Sequence, residues 1–505
     1  MNWTEDIPTD LRLFGRERSR EIDHNTIQDF GIGGFTLMEI AGRDAAQFIR
    51  ENEGDEKNGL FYCGKGNNAG DALVVARYLS DQANHNITII WAAGEDDLSE
   101  DAQKNHQLLK TLNDTSGNIT FLNFGDSVDR SHFHYIVDGL LGTGVNSELR
   151  SPYDEMVSQI NHLNLPTYSL DIPTGIHCDT GNVLGTAVKA TCTITFGTKK
   201  LGLFLNEGPA HSGDIHFVQL PFPKRYMNQE ATLINEKLAS YLPKSNRQAD
   251  HKYQDGTIHI VAGSGGLTGA AMMAAKSAWK NGAGAVILYT PKKLLPIYEV
   301  ALPEIIKVPV GSEGDSYFKT DHVESILTKI SDKPGPLIIG PGIGRKTETL
   351  DFTVQVLKKF SGFAVIDADA LYSWKKLSEI DRTKQKKWII TPHPGELKNA
   401  LNQSFSDDYE RLNIVREIAS NRGVNILSKG APTLFTSHQN KSYITEYDTQ
   451  IFARAGFGDV LSGTIAAYLA VKGQITESVL SALIDGYIAS QQKPNDEIFE
   501  PHHLL

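Results

Sequence analysis

One pattern constrains this chain more than any other. A short apolar run rich in β-branched residues leads into a turn with glycine, aspartate or asparagine, then into a helical stretch. In the first half the runs are Leu60–Cys63, Ile87–Trp91, Ile119–Leu122, Tyr135–Val137 and Thr167–Leu170. In the second half they are Ile258–Ala262, Leu337–Ile339, Ala364–Ile366, Trp388–Ile390 and Asn425–Leu427. Near-continuous apolar strands separated by amphipathic segments predict a parallel sheet covered by helices on both faces. Both halves therefore read as α/β. At 505 residues the chain is too long for a single core. Between the halves, Leu220–Lys252 carries Pro221, Pro223 and Pro243, mixed charge and no strong strand pattern. This places a domain boundary near residue 230, with domains over 1–229 and 230–505, each large enough for a core.

The charge balance narrows the partners. Forty-nine basic against 61 acidic residues leave a net charge of −12, which offers no bulk attraction to nucleic acid or to an anionic membrane. A phosphate-bearing ligand must then be held by local sites. Three scattered cysteines, Cys63, Cys178 and Cys192, are too few for a disulfide framework or a four-ligand zinc site, and a reducing compartment is expected. No apolar run reaches the length of a membrane span and the N-terminus lacks a leader pattern, so a cytoplasmic protein is expected. His132, His134, His502 and His503 lack a third spaced ligand and read as ordinary surface histidines.

The chemistry is concentrated in the turns. After Leu60–Cys63 comes Gly64-Lys65-Gly66-Asn67-Asn68-Ala69-Gly70-Asp71, followed by a helix whose Ala72, Val75, Ala76 and Leu79 share one face. A glycine-rich turn opening a helix presents free N–H groups and the positive dipole end to an anion. The spacing is neither GxGxxG nor GxxxxGK[ST], so on its own it also fits a plain tight turn. Two more strand-end loops carry an acid beside glycines: Asp138-Gly139-Leu140-Leu141-Gly142-Thr143-Gly144 and Asp171-Ile172-Pro173-Thr174-Gly175. An isolated aspartate there is usually an N-cap or turn residue, but three such loops converge on one crevice in an open parallel sheet.

These residues carry a resemblance. The series IDHNTIQDFGI, LMEIAGR, CGKGNNAGDALVVAR, VDGLLGTG, LDIPTGIHCDTG and TFGTKKLG resembles, in order and over nearly all of residues 1–225, the NAD(P)H-hydrate epimerase family. The resemblance implies a Rossmann-like three-layer αβα domain. It implies that Asn67, Asn68, Ala69, Gly70 and Asp71, with Gly142, Thr143, Gly144 and Val145, hold a hydrated nicotinamide dinucleotide. It further implies that Asn68, Asp138 and Thr174 bind K+ through oxygens, and that Asp171, with Lys200 nearby, is the acid/base at the hydrated carbon. A held carboxylate can supply the proton transfer that inverting this carbon needs. Ala69 and Ala72 stand where the family usually has glycine, and Ile40 where it usually has asparagine, which predicts added bulk near the cradle.

The second half repeats the arrangement. Ile258–Ala262 runs into Gly263-Ser264-Gly265-Gly266-Leu267-Thr268-Gly269 and an alanine-rich helix, and Gly456-Phe457-Gly458-Asp459 opens the apolar helix Val460–Val471. Asp459 at a helix start puts consecutive N–H groups before a transferring phosphoryl while its carboxylate takes a proton from an acceptor hydroxyl. His393, between two prolines in a strand-end loop, reads as a ligand contact. The block HKYQDGTIHIVAGSGGLTGAA, GPGIG, DADAL, TPHPGEL, KGAPT and GFGDVLSG resembles, over about residues 230–505, the ADP-dependent NAD(P)H-hydrate dehydratase family, which has a ribokinase-like fold. The resemblance implies Asp459 as the base and Ala270, Gly344 and His393 against the hydrated dinucleotide. It implies Lys429, Gly430, Ala431, Pro432, Thr433 and Gly458 on the nucleotide, with Mg2+ on its phosphates. One departure stands out. Arg454-Ala455-Gly456-Phe457 replaces a threonine, glycine and small residue, which predicts a restricted turn and an extra charge beside the phosphoryl site.

The resulting expectation is a bifunctional cofactor-repair enzyme and a homo-oligomer. One domain epimerises R and S hydrates of NADH and NADPH. The other dehydrates the S form with ADP, releasing AMP and phosphate. A ribokinase-like small-molecule kinase and a catalytically impaired nucleotide-binding scaffold are the alternatives.

Overall fold

The structure, a computed structural model, describes residues 3–92, 94, 98–243, 256–492 and 498–505. Residues 244–252 of the expected junction and His251–Asp255 of the HKYQD block lie outside the described residues. The chain forms two compact units. One comprises residues 8–232 with Asp407–Tyr409; the other takes in the described residues up to Ile7, then 233–406 and 410–505.

The first unit is built on seven parallel strands: β1 Asn58–Cys63, β2 Asn86–Trp91, β3 Ile119–Asn123, β4 Tyr135–Gly139, β5 Thr167–Leu170, β6 Cys192–Phe196 and β7 Asp214–Val218. Their order across the sheet is β3-β2-β1-β4-β5-β6-β7. Alternation along β1 sends side chains to opposite faces. Phe61 and Cys63 join a core under the helices Gly34–Glu53 and Asn67–Ala83, while Leu60 and Tyr62 face Met156, Val157 and Ile160 of the helix Tyr153–Leu163. This is the three-layer αβα arrangement. Gly42 lets the first two helices approach closely, because a Cβ there would collide with Val74. The three cysteines are buried and unpaired.

The second unit is built, among the described residues, on β8 Thr257–Val261, β9 Ala285–Pro291, β10 Ile306–Val310, β11 Leu337–Ile339, β12 Ala364–Ile366, β13 Trp388–Ile390, β14 Asn425–Ser428, β15 Leu434–Thr436 and β16 Ser442–Thr445. Their order is β10-β9-β8-β11-β12-β13-β14-β15-β16. The strands are parallel as far as β14, and β15 and β16 run antiparallel to their neighbours. One face is covered by the helices Val323–Asp332 and Thr347–Lys359. The other carries Thr268–Lys280 and Phe457–Lys472. The α/β class read from the apolar runs is what both units have.

Three points depart from the sequence reading. Strands β6, β7, β9, β10, β15 and β16 stand in addition to the ten runs read from the sequence. The first of the five second-half runs is shifted by one, β8 ending at Val261. The stretch thought to lack strand pattern contains a buried strand, Ala231–Ile234, and a short helix, Glu236–Ala239 capped by Asn235.

Candidate active sites

In the first unit, the turn after β1 opens the helix Asn67–Ala83, so Asn67, Asn68, Ala69, Gly70 and Asp71 form its first turn. Asn67 accepts a hydrogen bond from Ser99 Oγ at 2.7 Å. The methyls of Ala69 and Ala72 are fully buried in the core. The space for Ala72 is left by Gly139, whose Cβ would stand 2.6 Å from it. The added bulk expected at the cradle therefore goes into packing. Ile40 is half-buried in the helix Gly34–Glu53.

Asp138, at the end of β4, is completely buried. Its oxygens accept from Leu140 N at 3.2 Å, Ser169 Oγ at 2.8 Å, Thr174 N at 2.9 Å and Thr174 Oγ1 at 2.7 Å. Burial raises its pKa while these donors oppose the rise. Beside it, Asn68 has both side-chain polar atoms buried without a hydrogen-bond partner. Orphaned buried amides are rare, and the donor set of Asn68, Asp138 and Thr174 is all oxygen on the ligand side. That chemistry fits a hard monovalent cation.

Gly142 joins the two halves of the site. A Cβ on it would lie 3.4 Å from Asp171 Oδ2 and 3.6 Å from Asn68 Cγ. Thr143 and Val145 are half-buried and Gly144 exposed in the same loop. Asp171 sits just past β5 with φ +69°, a conformation a non-glycine residue seldom adopts. Its carboxylate is ion-paired with Lys200 Nζ, which also donates to Thr195 Oγ1 at 3.0 Å. Two further acids meet this pair. Asp23 is pushed up to about 6 by desolvation, with Lys200 opposing and Asp171 adding. Asp71 is held well above the carboxylate range by burial and by Asp171 and Asp23. Asp23 was not singled out from the sequence, although it lies inside the IDHNTIQDFGI motif.

In the second unit the strand ends after β12, β13 and β14 converge. Asp367, 1% exposed, accepts from Lys429 Nζ at 2.8 Å, Thr391 Oγ1 at 2.6 Å and Ser462 Oγ at 2.7 Å. These partners hold its pKa below the ordinary value against the desolvation that would raise it. Lys429 is raised despite its own burial, by Asp367, Glu396 and Asp459. A Cβ on Gly458 would stand 3.2 Å from Lys429 Nζ, so the start of the helix Phe457–Lys472 faces the lysine. Asp459, in that first turn, is pushed up to about 7 by burial and by Asp367, with Lys429 opposing. A carboxyl that ionises near neutrality suits general-base work.

The flanking loops are equally ordered. Gly344 N donates to Asp369 Oδ2 at 3.0 Å, and Arg345 Nε to Asp369 Oδ1 at 2.6 Å. Ala270 lies in the first turn of Thr268–Lys280, 3.1 Å from where a Cβ on Gly342 would stand. His393 caps the helix Pro394–Asn399 through Gly395 N, and its own N–H is taken by Glu396 Oε2 at 2.9 Å. Its ring remains more than half exposed. The Lys429–Thr433 turn is shaped from beneath by Arg411, a buried residue that sequence reasoning missed. Arg411 donates to Lys429 O at 3.3 Å and to Pro432 O at 2.6 Å. Thr433 Oγ1 and Thr449 Oγ1 both donate to Gly430 O. Ala431 is exposed in the same turn.

The departure at Arg454–Phe457 resolves into packing. Phe457 stacks on Phe499 at 5.4 Å and meets Phe452 edge-on at 5.4 Å. The strain is taken by Gly456, with φ +101°, where a Cβ would also press on Met273 Sδ at 2.6 Å. Arg454 is 3.8 Å from Glu500, both about half exposed, so its charge is paired and solvated. Among the described residues no three His, Cys, Asp or Glu side chains form a metal cage.

Two mainly parallel sheets, each with glycine turns and a held carboxylate gathered at its strand ends, define a two-site α/β enzyme. Residues 34–202 match the family model described as YjeF-related protein N-terminus, and residues 258–505 that of NAD(P)H-hydrate dehydratase. The bifunctional NAD(P)H-hydrate repair enzyme of Salinibacter ruber is 31% identical over 490 residues, covering 93% of this chain and 90% of that protein. The one from Escherichia coli is 30% identical over 452 residues, covering 87% and 82%. A ribokinase-like superfamily protein from Enterococcus faecalis is 21% identical, with a TM-score of 0.46, covering 55% of this chain and 93% of its own. The chain belongs to the family of bifunctional NAD(P)H-hydrate repair enzymes.

Proposed function

We infer that this chain restores hydrated NADH and NADPH in two steps. The first unit interconverts the R and S hydrates; the second dehydrates the S hydrate at the expense of a nucleotide. Family membership and the paired sites support this reading, and the observation that carries it is Asp459. It stands in the first turn of a glycine-led helix, facing Lys429, with an ionisation near pH 7.

In the second unit Asp459 takes the proton of the substrate hydroxyl as the oxygen bonds to the terminal phosphorus of ADP, and the P–O bond to AMP breaks. Lys429 and the first-turn amides face the charge on the moving phosphoryl. Phosphate then leaves with the C–O electron pair while the ring nitrogen supplies electrons, and loss of a ring proton restores the dihydronicotinamide. Gly344, His393 and Ala270 border the substrate, and Lys429, Gly430, Ala431, Pro432, Thr433 and Gly458 the nucleotide. Mg2+ bound to the phosphates would supply further neutralisation.

In the first unit Asp171, fixed by Lys200, moves the proton at the hydrated carbon. Asn67 to Asp71 and Gly142 to Val145 cradle the dinucleotide. Asn68, Asp138 and Thr174 would hold K+, whose charge would polarise the crevice. Incubating a mixed hydrate with ADP, Mg2+ and K+ should return the reduced-nicotinamide absorbance completely. Absence of recovery with either ADP or ATP would exclude the reading.

A further inference from the structure

The crevice of the first unit gathers more acidic than basic side chains. Asp23, Asp71 and Asp171 surround Lys200, and Asp138 lies beneath. A dinucleotide brings phosphate charges of its own, and the loop Gly142–Gly144 contributes no cationic side chain. Two cations come from the helix Arg16–Asn25, which precedes the region matched to the family at 34–202. Arg16, Arg20 and Asp23 recur at i, i+4 and i+7, so they share one face. Arg16 Nη2 donates to Gly144 O at 2.8 Å, and Arg20 Nη2 is 4.0 Å from the Cβ position of Gly144. Asp23, at the far end of that face, meets Lys200 and Asp171.

The start of this helix is already occupied, because Gly15 N donates to Glu230 Oε1 at 3.0 Å and Arg16 N to Asp179 Oδ1 at 2.6 Å. Binding must therefore come from side chains. Arg18 is paired with Glu21 at 2.6 Å, whereas Arg20, with Glu17 one turn before it, makes no hydrogen bond or ion pair with the described residues. Arg16 Nε is buried without a partner. An exposed, unpaired guanidinium beside a glycine loop is a fork suited to a phosphate.

We propose that Arg20, set by the helix Arg16–Asn25 against the Gly142–Gly144 loop, binds a phosphate group of the hydrated dinucleotide in the epimerase site. This rests on the epimerase reading of that site. The phosphate is either the bridging pyrophosphate, common to both coenzymes, or the 2′-phosphate that only NADPH hydrate carries.

The test is epimerisation by the full chain without ADP, which leaves dehydration silent, using each hydrate separately. Arg20→Ala should raise KM about tenfold with kcat within about twofold, the mark of lost uniform binding. A rise for both hydrates identifies the pyrophosphate, and a rise for NADPH hydrate alone the 2′-phosphate. Arg20→Lys should recover part of the loss, and Arg18→Ala should match the parent protein. Unchanged KM for both hydrates in Arg20→Ala, with the parent protein epimerising normally, would overturn the proposal. A crystal soaked with NADP+ gives a reading independent of turnover: phosphate oxygens on the Arg20 guanidinium support it. NADP+ in the crevice with Arg20 turned away overturns it while leaving the epimerase reading in place. NADP+ absent from the crevice, together with a parent protein that does not epimerise, removes both.

Discussion

A carboxyl that ionises near pH 7 makes one half of this enzyme sensitive to modest acidity. In the proposed reaction Asp459 serves as a base only when charged, and its pKa is raised to about 7 by burial and by Asp367. Activity therefore appears as pH rises through that value and is lost below it. Dehydration kcat/KM should climb about tenfold between roughly pH 6 and pH 8 and then level off, in a stopped or continuous absorbance assay. Asp459→Asn should abolish dehydration at every pH and leave epimerisation intact. Removal of a donor to buried Asp367 should act through stability: Ser462→Ala loses a 2.7 Å hydrogen bond to a charged acceptor and should cost about 1–3 kcal/mol in denaturant unfolding. The motifs already pointed to Asp459, at a helix start, and to Lys429, in the KGAPT turn, whereas Asp367 stood only as part of DADAL. Their pairing was not legible. Lys429 and Asp367 are 62 positions apart, and only the parallel register of β12, β13 and β14 brings them together. Ser462 and Arg411 were missed for a simpler reason. One lies within an apolar helical run and the other reads as an ordinary surface cation.

At the level of elements, buried central strands were easy to read and the rest were not. β1, β2 and β4 are almost uninterrupted apolar runs because helices cover both faces of the sheet. The edge strands β7 and β10 are partly exposed along most of their length, and β10 contains Pro309. Proline is tolerated on an edge because the missing N–H faces outward, yet in the sequence it argues against a strand. The start of the helix Phe457–Lys472 shows the opposite case, where an irregular motif has a regular structural cause. Phe457 replaces a small residue but is anchored between Phe452 and Phe499. Phe457→Ala should cost about 3–5 kcal/mol and lower dehydration, with epimerisation unchanged. Differential scanning calorimetry alongside the two assays would separate these effects. Gly42→Ala should weaken the other unit instead, since Val74 occupies the space the new methyl needs. A loss of about 1–3 kcal/mol is expected there, with epimerisation falling first on heating.

For the molecule as a whole, two separate cores carry two chemistries linked by one intermediate. Asp171→Asn should turn over the S fraction of a mixed hydrate and then stall, whereas Asp459→Asn should interconvert the isomers without restoring absorbance. An equimolar mixture of the two variants should complete the conversion after a lag, because each molecule then lends its intact site through solution. The cysteines add a consequence of another kind. All three thiols are enclosed, and burial pushes Cys192 up to about 11 and the other two further still. Peroxide and alkylating reagents attack the thiolate, which these residues scarcely form. The protein should therefore keep mending damaged coenzyme under oxidant exposures that silence enzymes dependent on a reactive sulfur.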